Sequence, residues 1–271
     1  MTRARDNAAG LRAPPPPQRA PAAAHERQGA AGELLALQRS AGNRAVVREL
    51  ARRRRTVHQA MREAGVAGQP DVAWTASYDV EFTDTECVVT IFARIDRDAD
   101  VTEADERRVR RQTRAAFERI WDNRFELEDR DSGEVFPLRV RLEFVRNRPH
   151  LTLQLHSGDG RDDLQNWFVD SVALDRAHEL GHQLGMYDEY VDPTVANRAT
   201  AASPGVHTDH SIMGNYYAEG RARARARLRH GRRLAWNIGE RTGRRLRARL
   251  RAATPPPAAA PAAAAPAAGG H

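Results

Sequence analysis

The run His178-Glu179-Leu180-Gly181-His182-Gln183-Leu184-Gly185-Met186-Tyr187-Asp188 holds, within eleven residues, the groups that a metal-dependent hydrolase needs. Residues four apart share a helix face, so His178 and His182 can present their imidazoles to one ion while Glu179 is turned toward water beside it. Gly185 suits the left-handed turn that ends a helix, and a reversal there would bring Asp188, six residues past His182, back toward the histidines. Zinc held by three protein ligands acidifies water to a pKa of about 7 and polarises a carbonyl, while a nearby carboxylate takes the proton and passes it to the leaving amine. Asp188 is the expected third ligand; Glu189, His207 and His210 are the alternatives. The competing reading is a solvated helix face carrying two histidines by chance, and Gly185 and Asp188 at their positions weigh against it.

Ala173, Ala177, Leu180 and Leu184 recur at helical spacing beside the histidine face, which predicts a half-buried helix suited to a cleft floor. Downstream, Ser211-Ile212-Met213-Gly214 is a short apolar turn. The pattern HExxHxxGxxD followed by an S-x-M-G turn resembles the metzincin metalloproteases with their Met-turn, and aspartate in place of the family's usual third histidine resembles its snapalysin-like branch. The resemblance implies an α+β, zincin-like fold with a twisted mixed sheet, an active-site helix, a Met-turn and a C-terminal helix. It further implies a Zn2+ cofactor held by His178, His182 and Asp188, with Glu179 as general base then acid and Met213 as the hydrophobic floor. Some members place a tyrosine two residues past the methionine; here that position is Asn215, with Tyr216 and Tyr217 just beyond. Tyr216, Glu189 and His210 are the auxiliary candidates. By the same resemblance, the strand before the active-site helix, residues 150–156, would form the cleft edge and bind substrate backbone.

These groups need elements to position them. Glu86–Ile95 reads as a strand and Thr102–Asp122 as a helix capped by Thr102, with Val109, Ala116, Phe117, Ile120 and Trp121 on its apolar side. Phe136–Val145 alternates apolar and charged residues as a half-buried strand does, and His150–His156 alternates again. An Arg-rich helical region is expected from about Ala218 to Arg251. The predicted organisation is a disordered Ala/Pro/Arg-rich tail (1–30), a leader-like amphipathic helix (31–55), a linker (56–79), a metalloprotease domain (80–251) and a disordered Ala/Pro-rich tail (252–271).

All 43 basic residues are arginine and face 36 acidic ones, so the formal charge is only +7. Runs such as Arg52–Arg55 lack interleaved aromatics and read as solvated faces, which disfavours a nucleic-acid partner. Cys87, the single cysteine, reads as a buried strand residue. The loop Ser157–Asp163 clusters carboxylates without calcium-loop spacing and reads as a hydrated surface turn. His230 reads as a surface or packing residue. No apolar stretch is long enough to span a bilayer, and no signal peptide is evident after Met1.

Near the N-terminus, Leu37-Gln38-Arg39-Ser40-Ala41-Gly42-Asn43-Arg44-Ala45-Val46 resembles a segment carried by proteins encoded with bacterial extracellular contractile injection systems. That resemblance implies a bacterial protein made in the cytoplasm and delivered as a toxin or effector within an injection particle. The expected function is therefore a zinc-dependent endopeptidase acting on a protein or peptide substrate. The alternatives are a non-catalytic adaptor of the particle, for which Glu179 would have no use, and a nucleic-acid binder driven by the Arg runs, which steep salt dependence would betray.

Overall fold

The computed structural model describes residues 54–252, together with Gly32 and Leu35. The tail of residues 1–30, nearly all of the leader-like 31–55 segment and residues 253–271 lie outside the described residues. The described residues 54–252 form one compact unit, a mixed α+β domain.

Its strands are β1 (Arg55–Glu63), β2 (Val72–Phe82), β3 (Cys87–Arg97), β4 (Phe125–Asp129), β5 (Val135–Phe144), β6 (Leu151–His156), β7 (Asn166–Phe168) and β8 (Leu246–Leu250). The principal helices are α1 (Glu103–Trp121), α2 (Ala173–Gln183), the single turn α3 (Tyr216–Glu219) and α4 (Leu228–Thr242). The strands make one sheet in the order β1-β2-β3-β5-β4-β8, with β6 continuing beside the second half of β3 and β7 beside β6. β3 pairs in parallel with β5 and then with β6, whereas its other neighbour, β2, is antiparallel. β3 is accordingly almost wholly buried from Cys87 to Ala93, as expected of a central strand covered on both faces. The alternation read in β5 appears as Phe136, Leu138, Val140 and Leu142 inward, with Arg139 outward holding the Asp122 carboxylate by two hydrogen bonds of 2.8 and 2.9 Å.

α1 packs on β5 and on α2, and α2 in turn packs on β2. Thr102 caps α1 through its side chain, which accepts from the Asp105 amide. α4 packs on both β1 and β8, the two ends of the strand path, so the sheet curls around that helix. Trp121 closes the layer between α1 and α2: its ring is fully buried and its indole N–H donates to the Ala177 carbonyl at 3.1 Å.

Three expectations need correction. Residues 56–79, read as a linker, form β1 and most of β2, so the domain begins well before residue 80. β1 buries only Val57, Met61 and Glu63, and the polar Arg55, Thr56, His58, Gln59 and Arg62 around them leave no clear apolar alternation in the sequence. β7 pairs with Gln154–His156, so the second half of residues 150–156 is not a free edge, while Leu151–Leu153 have a strand partner only in β3. The Arg-rich C-terminal region is not helical throughout, because Gly243 takes a left-handed φ of 74° that stops α4 and sends the chain into β8, antiparallel to β4.

Candidate metal centre

α2 carries His178, Glu179 and His182, and its end is set by local sequence. Gly185 has φ 86°; its amide donates to the His182 carbonyl at 2.9 Å and the next amide, of Met186, donates to the Gly181 carbonyl at 3.0 Å. This pair of bonds is the Schellman closure, which needs a residue without a β-carbon at the left-handed position. The reversal also returns the Met186 carbonyl to accept from His182 Nδ1 at 3.0 Å. The Ile212 carbonyl accepts from His178 Nδ1 at 2.8 Å. Because a carbonyl can only accept, both Nδ1 atoms carry the hydrogen, and both Nε2 atoms are left to face inward.

The two Nε2 atoms face Asp188. Asp188 Oδ1 lies 3.1 Å from His178 Nε2 and 3.3 Å from His182 Nε2. Oδ1 is buried and has no hydrogen-bond partner, so the three atoms converge on a common point instead of forming a closed pair. Zinc bonds of about 2.0–2.1 Å in a tetrahedron put neighbouring ligand atoms about 3.3 Å apart, close to the separation of Asp188 Oδ1 from each imidazole. Glu179 approaches the same histidine less closely, with Oε1 3.9 Å from His178 Nε2, and His178, Glu179 and His182 also qualify by proximity as a metal-holding group. Asp188 is the better placed candidate for a third ligand: it is nearer, it reaches both imidazoles, and the oxygen that has no hydrogen-bond partner is the one that faces them.

The electrostatics ask for positive charge. Burial lowers the His178 pKa, but Asp188 and Glu179 raise it further, up to about 9. Burial alone would raise Asp188, yet the two imidazoles hold it well below the usual carboxylate range. Burial pushes the Glu179 carboxyl up, with the histidines partly offsetting the rise. A half-buried pair of carboxylates beside two buried imidazoles is satisfied by a cation among them, and the nitrogen–oxygen donor set is one that zinc takes.

Met213 lies under α2. A β-carbon on Gly181 would sit 2.5 Å from Met213 Sδ and 2.9 Å from the Trp121 ring, so the glycine between Glu179 and His182 is what lets the methionine reach the helix backbone. The turn is held by Glu189, the neighbour of Asp188. Its amide donates to the Met213 carbonyl at 2.7 Å, and its carboxylate accepts from Arg229, from His230 at 3.0 Å and from the Ser211 hydroxyl. Glu189 therefore faces away from the histidines, a structural tie between the turn and α4. His230, expected as surface or packing, is buried and part of that tie. His210 points elsewhere, 3.8 Å from the Glu219 carboxylate, and lines a different hollow with Arg223 and Arg225.

Beside the cluster opens a cleft of about 540 Å³ whose lining includes Asp159, Gly160 and Arg161 together with Asn215, Tyr216 and Tyr217. The Ser157–Asp163 loop is therefore a cleft wall in part, not simply a hydrated turn. Its Asp162 is buried, accepting from the Phe168 amide at 2.8 Å and the Ser171 hydroxyl at 2.5 Å. The Tyr216 hydroxyl donates to Asp175 at 2.8 Å and that of Tyr217 donates to the same carboxylate. Asp175 sits one turn before His178, and helical spacing alone could have flagged it. Arg198 and Glu63, which border Asp188 from the far side, carry no such signal.

No protein-family model, curated protein or solved structure matches the chain. Among the described residues no helix is long and apolar enough to cross a membrane.

Proposed function

We propose that this chain is a zinc-dependent endopeptidase of metzincin-like fold. The observation that carries the reading is the convergence of His178 Nε2, His182 Nε2 and Asp188 Oδ1 beside a solvent-open cleft that Glu179 also lines. His178, His182 and Asp188 would hold the zinc, with Met213 as the apolar floor beneath α2. Bound there, the ion supplies Lewis acidity toward a carbonyl and toward water.

The side chains supply the rest. The Ile212 and Met186 carbonyls keep both imidazoles in one tautomer and orientation. Glu179, its carboxyl raised by burial, takes the proton of the attacking water and delivers it to the leaving amine. Tyr216 and Tyr217 both spend their hydroxyls on Asp175, so they act as a cleft wall for a peptide and not as donors to the reacting carbonyl. Delivery as an effector cargo of a contractile injection particle is proposed on the Leu37–Val46 resemblance alone.

The test is metal content together with hydrolysis. Purified protein is expected to hold one zinc per chain and to cleave a general protein substrate, and Glu179→Gln is expected to keep the zinc and lose about 10²-fold or more in rate. A Gln variant as active as the wild type would remove Glu179 from the mechanism, and a zinc-free wild type would remove the reading.

A further inference from the structure

Asp188 offers the histidines one oxygen because the other is engaged. Arg198, in the loop that follows, places Nη2 3.3 Å from Asp188 Oδ2. The same guanidinium meets Glu63 of β1, with Nε 3.1 Å from Oε1 and Nη2 3.5 Å from Oε2, and Asp192, with Nη1 3.3 Å from Oδ2. Nη1 also donates to the Tyr190 carbonyl at 3.4 Å, and the Tyr190 ring lies 5.0 Å from the guanidinium carbon. The Arg198 side chain is only 3% exposed and that of Glu63 only 6%.

A guanidinium buried this deeply needs its charge and its donors satisfied, and its planar fork fixes the directions of the carboxylates around it. Glu63 and Asp188 would repel each other in this volume without the cation between them. A carboxylate free on both oxygens could turn about its last torsion and present either edge to the histidines. With Oδ2 held by Arg198, rotation is blocked and Oδ1 stays aimed at His178 Nε2 and His182 Nε2.

We propose that Arg198, braced by Glu63, is a positioning residue that presents Asp188 as a single-oxygen metal ligand. The proposal rests on the zinc-centre reading, and it makes the centre depend on β1, which is distant in sequence. The loop is tied by backbone as well to the residues that leave that strand: the Val66 amide donates to the Thr194 carbonyl, and the Ala196 amide donates to the Ala64 carbonyl, each at 2.9 Å.

The experiment measures the zinc dissociation constant of the full chain by competition with a chromogenic chelator, together with the melting temperature of the metal-free protein and the visible spectrum of the Co2+-loaded form. Arg198→Met alone leaves buried carboxylates unpaired, so the deciding variant is Arg198→Met with Glu63→Gln, which removes the pair together. We expect this double variant to fold in the metal-free form, to bind zinc about 10–100-fold more weakly and to shift the Co2+ bands, as loss of an outer partner does to a metal ligand. Arg198→Lys should recover part of the affinity, since an ammonium reaches one carboxylate but not the fork. A folded double variant with wild-type zinc affinity and unchanged Co2+ bands overturns the proposal. Should the double variant fail to fold, Arg198→Lys decides: weaker zinc at an unchanged melting temperature supports positioning, and unchanged affinity overturns it. Absence of zinc binding by the wild type defeats the zinc-centre reading itself, a result distinct from any ratio between variants.

Discussion

Asp188 and Glu189 are adjacent carboxylates with opposite surroundings, and substituting each should give opposite phenotypes. Asp188 turns one oxygen to the two imidazoles, whereas Glu189 is saturated by Arg229, His230 and Ser211. Asp188→Ala should weaken zinc sharply while leaving the turn at Met213 in place. Glu189→Ala removes the shared acceptor of Arg229, His230 and Ser211; Arg229 keeps Asp209, but buried His230 and Ser211 lose their carboxylate, which should cost about 1–3 kcal/mol of stability. Equilibrium denaturation and metal titration of both variants check the crossing; equal zinc loss in the two would sink it. The same contrast sets a pH dependence. Burial raises the Glu189 carboxyl, but the hydrogen bonds from Arg229 and His230 more than offset that and hold it well below the usual carboxylate range. Its contribution is thus fully present above the unfolded carboxylate pKa of about 4.3 and is lost as pH falls toward the folded value. Glu189→Gln should therefore show a shallower loss of stability below about pH 4 than wild type, measured by denaturant midpoints across pH.

At the scale of elements, α2 is both a carrier of ligands and a packing surface, and Gly181 is where the two uses meet. Gly181→Ala would drive a methyl into Met213 and Trp121. The methionine is flexible enough to yield, but the Trp121 ring is pinned by its bond to the Ala177 carbonyl. Overpacking of this kind should cost about 1–3 kcal/mol, seen as a lower melting temperature. A variant as stable as wild type would mean that α2 can lift from the turn beneath it. Much of this element was legible in sequence: the i, i+4 histidines, the apolar stripe and the Gly185 stop all follow from local backbone geometry. The packing demand on Gly181 was not legible, since Met213 and Trp121 arrive from a distant turn and another helix.

Across the whole molecule, β1 decides how much of the chain the domain needs. Residues from Arg55 pair along all of β1 with β2, and α4 reaches back to β1 through Arg241, whose Nε donates to the Thr56 carbonyl at 2.7 Å. Deleting residues 1–53 should leave folding and hydrolysis near wild type and, on the proposed delivery role, abolish association with an injection particle. Deleting residues 1–64 removes β1, bares the β2 edge and takes away Glu63, so soluble, zinc-binding protein should be lost. Far-ultraviolet circular dichroism and metal content of the two truncations separate the cases; a folded, zinc-binding 65–271 fragment would contradict this account of β1.

The sequence by itself determined the local features: that residues 178–182 wind as a helix with both imidazoles on one face, that Gly185 turns the chain, and that α1 starts at Thr102. Each depends on neighbours within a few residues, where spacing and side-chain type suffice. Only the tertiary structure decided which of the two adjacent carboxylates faces the histidines, that Arg198 and Glu63 brace it, and that residues 56–79 are sheet. Those outcomes depend on side chains that meet from β1, the 188–198 loop and α4, and a contact between distant segments leaves no periodicity in the chain to read.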